Sequence, residues 1–177
     1  MGIRTRIFFI TLSCLFVGIS LSFIVAERDL SIKLQAQIET ELSRQAKILR
    51  KSISGLIDSG DLVALKSEAD EYASASDSRI TIILKNGDVI VDSDIEASRI
   101  NDLDNHSDRP EIISAFNNGY GSSKRFSSTV KKEMFYFALL DKTNNQERVI
   151  RISVPYESLD QVLASLGNSI TLIVVVG

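Results

Sequence analysis

The stretch RITIILKNGDVIV, residues 79–91, decides the fold predicted from this sequence. It begins with β-branched and apolar residues, and residues 89–91 return to that character after the dipeptide Asn86-Gly87. Asn-Gly is favoured in the type I′ turns that close tight β-hairpins. We therefore predict two antiparallel strands joined by a type I′ turn at Asn86 and Gly87.

Three more strands are predicted downstream, at residues 121–128, 134–140 and 148–154; the second contains three aromatic residues and the third four β-branched residues. Residues 143–145 (TNN) provide a turn before the last of them. Strands grouped together, with helices gathered at the start and on one connection, predict the α+β class with an antiparallel sheet of about five strands. The predicted sheet core covers residues 79–155.

The connection between the hairpin and these strands is expected to hold a loop and a short helix. Residues 92–105 are polar and acidic, which predicts a surface loop. Pro110 and Glu111 can open a helix that ends near Gly119, and Asp108 is well placed to cap its start. The predicted apolar side of this helix consists of Ile112, Ile113 and Phe116.

A long amphipathic helix is predicted at residues 27–58. Its apolar positions recur with a mean spacing of about 3.7 residues, close to helical periodicity and longer than the 3.5 residues of a strict coiled coil. We expect the stripe to pack partly on its own domain and partly on a second copy in a homodimer. The segment 58–61 (DSGD) predicts a stop and a new cap, followed by a shorter helix with Leu62, Leu65, Ala69 and Tyr72 on its apolar side.

The N-terminal run at residues 7–26 is uncharged and apolar, and its length is the roughly 20 residues that a helix needs to cross a bilayer. A cleaved signal peptide usually has a shorter apolar core and an Ala-x-Ala-like site, so we expect this run to stay as a membrane helix. Arg4 and Arg6 precede it, which predicts a cytoplasmic N-terminus in the bacterial inner membrane and residues 27–166 outside. Residues 167–177 are expected to begin a second, truncated membrane helix.

Composition argues against several classes of function. The formal net charge is −3 with both signs interspersed, so no nucleic-acid surface is predicted. The single cysteine, Cys14, lies in the apolar run, and no catalytic constellation or phosphate-binding loop stands out, so residues 1–177 are not predicted to be an enzyme or to bind a cofactor. No metal site is predicted. The acidic loop does not match an EF-hand, and a looser cation site among Asp92, Asp94, Asp102 and Asp104 stays open beside a solvated loop.

A series of short motifs follows the hairpin in a fixed order. They are VDSD at 91–94, NHSDRPE at 105–111, GYGSS at 119–123, RFS at 125–127, MFY at 134–136 and VIRISV at 149–154.

In this order the motifs resemble the extracytoplasmic sensor domain of phosphate-regulon-type (PhoR-like) sensor histidine kinases, a single-Cache fold related to PAS. The resemblance covers about half of the chain, residues 80–166. It implies a Cache/PAS-like sheet flanked by transmembrane helices, with a phosphoacceptor helix and an ATP-binding domain beyond the second span. ATP and Mg would serve only that missing kinase part, and a response regulator would be its partner.

A PAS-like sheet usually forms one wall of a ligand pocket, so the resemblance makes Arg125, Tyr136 and Arg151 candidate ligand-binding residues. An arginine that alternates with Ile and Val can instead lie on a solvent-exposed face. His106 and Arg109 are further candidates, with a structural His106 and a surface ion pair of Arg109 with Asp104 or Glu111 as alternatives.

The predicted function is therefore the sensing, membrane-anchored input region of a two-component sensor histidine kinase. A chemoreceptor or other non-kinase receptor with a Cache-like exterior is the alternative, as is a membrane-tethered protein-interaction domain. The sequence leaves the stimulus open, whether a small molecule or a protein.

Overall fold

The computed structural model describes residues 2–127, 130–143 and 146–156. The turn predicted around residues 144–145 and the second membrane segment predicted at residues 167–177 lie outside the described residues. The elements are helices α1 (Ile3–Ser59), α2 (Leu62–Ser76) and α3 (Pro110–Asn118), a 3₁₀ helix (Ala97–Asp102), and strands β1 (Arg79–Leu84), β2 (Val89–Asp92), β3 (Tyr120–Ser127), β4 (Lys132–Thr143) and β5 (Gln146–Pro155).

The described residues divide into two compact units, residues 2–37 and residues 38–156. In the first unit, the described residues are almost all helical and carry exposed apolar side chains. Within the described part of the chain, α1 alone has the length and apolar composition needed to cross a membrane. This finding is compatible with the predicted membrane anchor.

The second unit contains one five-stranded sheet in the order β2-β1-β5-β4-β3, and every neighbouring pair is antiparallel. The α+β class and the sheet of five strands are as predicted. Each observed strand includes nearly all of its predicted segment, and β4 and β5 extend a few residues beyond theirs. The central strand, β5, pairs with β1 on one side and with β4 on the other.

One face of the sheet is apolar and packs against α2 and the C-terminal part of α1. Full burial of a Leu or Ile side chain contributes about 1.5–3 kcal/mol, so this core is a main source of stability. Of the residues predicted on the apolar side of α2, Leu65 and Ala69 are buried and Tyr72 packs against the core, whereas Leu62 is exposed. The buried members of the predicted α1 stripe are Leu42, Ala46, Leu49 and Ile53.

The hairpin is present, but its predicted type I′ turn is wrong. The Gly87 amide donates to the Leu84 carbonyl (2.9 Å) and the Leu84 amide donates to the Asp88 carbonyl (2.8 Å), which defines a three-residue loop. Gly87 has φ +90°, whereas Asn86 is not among the described residues with positive φ. A turn followed by a left-handed glycine is the common three-residue solution. Asn86 instead accepts a side-chain hydrogen bond from the Asp88 amide, which favours a conformation other than type I′.

The segment at residues 105–107 is hydrogen-bonded to this turn. Asn105 Nδ2 donates to the Asn86 carbonyl and to Asp88 Oδ1, both at 2.9 Å. The His106 amide donates to the Gly87 carbonyl at 2.9 Å. A Cβ at Gly87 would collide with Asn105 and with the backbone of Ser107. The missing side chain of Gly87 therefore allows the loop to dock.

Two predictions for the connecting segment need correction. Asp108 does not cap α3: Arg109 occupies the N-cap position, and its extended conformation (ψ 131°) is the one favoured before proline. Residues 92–105 are not wholly a surface loop either. Asp92 ends β2 with 0 % exposure, and residues 97–102 form the 3₁₀ helix.

The predicted cap of α2 is present, since Asp61 accepts from the Ala64 amide at 3.0 Å.

We expect Gly87→Ala to destabilise the protein more than Gly60→Ala. Both glycines have positive φ, so each substitution carries backbone strain of about 1 kcal/mol or more. Only Gly87 also has neighbours that a Cβ would strike, because space around Gly60 is open. Urea unfolding of the two variants measures the difference in the free energy of unfolding. Equal losses would show that docking of residues 105–107 does not depend on the space at Gly87.

Candidate functional site

The face of the sheet opposite α1 and α2 is polar at its centre. Residues directly opposite each other on neighbouring strands point to the same face of a sheet. The pairing register therefore defines a row across all five strands, and α3 lies over part of this face. In order from β2 to β3, the row is Asp92, Thr81, Arg151, Ala138 and Gly121.

Arg151 occupies the middle of this row and is 3 % exposed. Its Nη2 donates to Thr81 Oγ1 at 3.1 Å, and its Nη1 donates to Glu111 Oε1 at 3.4 Å. Burial lowers the pKa of Arg151 to about 10, although Glu111 and Asp92 act to raise it. The guanidinium therefore remains charged at neutral pH in a site with little water. The prediction of a solvent-exposed face does not hold for this arginine.

Glu111 supplies the carboxylate that faces Arg151, a role that was not predicted from the sequence. It belongs to the first turn of α3 and is 0 % exposed. Its Oε2 accepts from Ser123 Oγ at 2.6 Å, and its Oε1 also accepts from Arg125 Nη2 at 3.2 Å. Burial raises the pKa of Glu111, but the Ser123 hydroxyl, a backbone hydrogen bond, Arg151 and Arg125 together hold it below the ordinary value.

The close approach of α3 depends on a glycine in the row. A Cβ on Gly121 would collide with the carbonyl of Glu111 and would lie 2.6 Å from Ser114 Cβ. Neighbouring Ala138 is also small, and it packs with Ile112 and Ala115 of α3. Small residues at the β3–β4 end of the row therefore let the first turn of α3 reach the sheet, which brings Glu111 to the arginines.

The candidate residues Arg125, Tyr136 and Arg151 are brought together. The Arg125 guanidinium carbon lies 4.0 Å from the centre of the Tyr136 ring, and that of Arg151 lies 5.2 Å from it. An aromatic face attracts a guanidinium at such distances. Two cations therefore share one aromatic ring and one carboxylate, that of Glu111.

A second buried carboxylate lies at the other end of the row. Asp92 Oδ1 accepts from Arg79 Nε at 2.9 Å, and Asp92 Oδ2 accepts from Thr81 Oγ1 at 2.9 Å. The Asp94 amide also donates to Asp92 (3.0 Å). The Asp92 carboxylate is therefore paired with Arg79 and Thr81. No group of three or more potential metal ligands occurs in the part of the chain that the structure describes.

His106 and Arg109 lie in the segment that leads into α3. His106 is half-buried, and its Nδ1 is 2.6 Å from the Asp104 carbonyl. Burial lowers the pKa of His106, and Arg151, Arg109 and Arg125 lower it further, against a raising effect of the Asp104 carbonyl. Arg109 pairs with exposed Asp108 (3.5 Å) rather than with Asp104 or Glu111. All five candidate residues thus belong to one electrostatic neighbourhood.

At this cluster Arg125 and Arg151 share one carboxylate, that of Glu111, and some guanidinium donors have no partner. Four buried side-chain polar atoms in the described residues lack a hydrogen-bond partner. Three of them are guanidinium nitrogens, and buried donors are normally paired. The exposed acids Asp94 and Asp108 each approach an arginine, but solvent screens such pairs. The three nitrogens are Nε of Arg109, Arg125 and Arg151.

A cavity of about 470 Å³ lies beside the cluster. Its lining includes Arg79, Met134 and Ser153. Ser153 pairs in the sheet with both Arg79 and Tyr136, and Met134 pairs with Arg125, so these residues are immediate neighbours of the arginines. The lining also includes the acids Asp70, Asp77 and Asp94, so the cavity itself is polar and acidic, whereas the unpaired donors belong to the neighbouring guanidinium groups. The chemistry that fits such donors is an oxyanion, because a guanidinium presents its N–H groups in a fork that matches carboxylate or phosphate.

No family model matches this chain, and no curated protein matches it. Among solved structures, the sensor domain of the histidine kinase DctB from V. cholerae is similar, with a TM-score of 0.53 and 15 % sequence identity. The match covers 80 % of this chain and 60 % of that chain, so the present chain spans well under two thirds of its neighbour. The likeness supports the Cache/PAS-like fold, and it leaves the predicted phosphate-regulon type without support.

The pKa of His106 can be measured directly, because it is the only histidine. We expect an NMR titration to give a value below 6.5, so that the ring is neutral at pH 7 and its contribution to stability is lost as the pH falls through that value. Arg109→Gln should raise the pKa by removing a nearby positive charge. Lys124→Gln, which removes a charge from the opposite face of β3, is the control. A value above 6.5 in the native protein would contradict the placement of His106.

Proposed function

We propose that this chain is the extracytoplasmic input region of a membrane-anchored sensor histidine kinase, and that the sensor responds to a small oxyanion bound at the arginine cluster. The observation that carries the proposal is that two buried guanidinium nitrogens, Nε of Arg125 and Nε of Arg151, lie without a hydrogen-bond partner on one face of a Cache/PAS-like sheet. A sensing role is also the role of the DctB domain that the fold resembles.

Burial is what makes this cluster suited to binding. A charge interaction is weak in water and becomes stronger as the effective dielectric constant falls. Arg151 is nearly inaccessible, and Arg125 is mostly buried. An anion that replaces solvent beside them would gain hydrogen bonds from their unpaired donors. Small-molecule sites commonly combine a few such polar groups with an apolar wall.

The signal would leave the domain through its helices. A ligand shifts a conformational balance only by its differential affinity for the two states. In our proposal the two states differ in how α3 and the sheet pack, and α1, which packs on the other face, passes the difference toward the membrane segment. A homodimer, with the exposed apolar residues of α1 such as Leu30 at its contact, belongs to the same proposal. ATP, Mg and a response regulator would act only on the cytoplasmic part of a longer parent.

We expect oxyanions to raise the melting temperature of the whole chain in detergent, since binding to the native state alone stabilises it. Acetate, succinate, inorganic phosphate and sulfate form the panel, with chloride at equal ionic strength as the reference. Arg125→Gln should abolish most of the increase. Lys124→Gln is the matched control, because it removes the same charge from the adjacent residue on the opposite face of the strand.

A melting temperature that responds to none of the four anions would overturn the oxyanion proposal. An equal response in the Arg125→Gln and Lys124→Gln variants would show a general salt effect, which also counts against the site. A response to phosphate alone would favour the phosphate-regulon type.

The kinase context has its own test in the native protein. Mass spectrometry of the protein isolated from its cells is expected to show a longer chain, with a second span, a histidine-bearing helical pair and an ATP-binding domain. A native chain that instead continues into a long methyl-accepting helical rod would favour the chemoreceptor.

A further inference from the structure

The carboxylate of Glu111 lies where an external anion would be expected to bind. It contacts both Arg125 and Arg151 through the same oxygen, Oε1, at 3.2 and 3.4 Å. It is 0 % exposed and is delivered by a short helix rather than by the sheet itself. Its partners Ser123, Arg125 and Arg151 belong to strands and are fixed by the pairing register.

We propose that Glu111 is a tethered occupant of the anion site, so that a soluble oxyanion binds by displacing its carboxylate and shifts the first turn of α3. This inference rests on the proposed function, because it states how the same site is regulated. The tethered carboxylate keeps the arginines partly neutralised when no ligand is present.

The contacts of Glu111 make this exchange feasible. The carboxylate accepts from Ser123, Arg125 and Arg151, so an incoming oxyanion with two or more acceptor oxygens can take over the same three donors. Glu111 does not neutralise the site fully, since Nε of Arg125 and Nε of Arg151 remain unpaired. An anion free to choose its position can reach donors that a carboxylate fixed to α3 does not reach.

The position of Glu111 in α3 gives the exchange a structural consequence. It is the second residue of a nine-residue helix whose other buried residues, Ile112 and Ala115, pack on apolar residues of β1, β4 and β5. The Glu111 carbonyl also lies against Gly121. Displacing the side chain would therefore loosen the first turn while the apolar contacts hold the rest, which favours a small pivot of α3 over its release.

The decisive variants are Glu111→Gln and Glu111→Asp, tested for acetate affinity by calorimetry on the whole chain in detergent. Glu111→Gln removes the competing charge, and we expect acetate to bind about tenfold more tightly. Glu111→Asp keeps the charge but shortens the side chain, so its carboxylate competes less well and acetate should again bind more tightly than to the native protein. Glu133→Gln, which removes a carboxylate from the opposite face, is the control and should leave the affinity unchanged.

The aspartate variant separates displacement from a simple field effect. If Glu111 acted only through its charge, Glu111→Asp would bind acetate as the native protein does, and that result would overturn the inference while leaving the oxyanion site intact. Failure of acetate and sulfate to bind the native protein and every variant would overturn the proposed function itself. Ser123→Ala, which removes one donor to Glu111 without touching any charge, is a milder variant in case the others fold poorly, and it should loosen Glu111 in the same direction.

Movement of α3 has a separate readout, because the chain contains no tryptophan. Ile113→Trp places one indole on the exposed side of α3. We expect saturating sulfate to shift its emission, and to shift it less in the Arg125→Gln background. Sulfate that binds without changing the emission would contradict displacement of the helix.

The pH dependence provides the last check on the same groups. Glu111 is faced by Ser123 and Arg125 of β3, Arg151 of β5 and Tyr136 of β4, with His106 and Arg109 in the preceding segment. Its pKa lies below 4.5, so protonation at lower pH removes the tethered competitor. Sulfate affinity should therefore rise more steeply below pH 4.5 in the native protein than in Glu111→Gln, whereas the effect of His106 is common to both. Parallel profiles would count against competition.

Discussion

Arg151 imposes the main physical constraint on this domain, because its charge is held on the central strand of the sheet and is almost fully removed from solvent. A buried charge is costly unless partners replace the lost water. Thr81 and Glu111 supply those partners, and Tyr136 supplies an aromatic face. The position of α3 meets the same need, since its first turn brings the Glu111 carboxylate to this point of the sheet.

The two faces of the sheet differ in their roles: one forms the apolar core, and the other holds the candidate binding site. The face under α1 and α2 is apolar, and its burial is non-directional and large. The face under α3 holds hydrogen-bonded charges, whose net contribution to folding is small because desolvation opposes it. Residues such as Ile150 and Ile152 face one way and Arg151 between them faces the other. A single strand therefore serves a conventional core and a polar site at once.

The sequence was sufficient for the elements but not for their partners. The hairpin and every strand were predicted close to their observed positions, and the Pro110 start and Gly119 end of α3 were also predicted. Alternation around Arg151 is the same whether that face is exposed or covered, so the pattern alone did not decide its burial. Glu111 was missed as a site residue, although it is four residues before Ala115 and hence on the same side of α3. The hairpin turn was misjudged because local side-chain hydrogen bonds outweighed the Asn-Gly preference.

The row of residues across the sheet also bears on how the chain avoids wrong strand pairings. A shift of β5 by one residue would turn every side chain to the opposite face. Arg151 would then point into the apolar core beside Leu49 and Ile53, without a counter-ion, while Ile150 and Ile152 would meet Glu111. Misaligned states of the central strand would therefore be strongly disfavoured. The charged cluster would therefore disfavour misaligned pairings of β5, whether or not it binds a ligand.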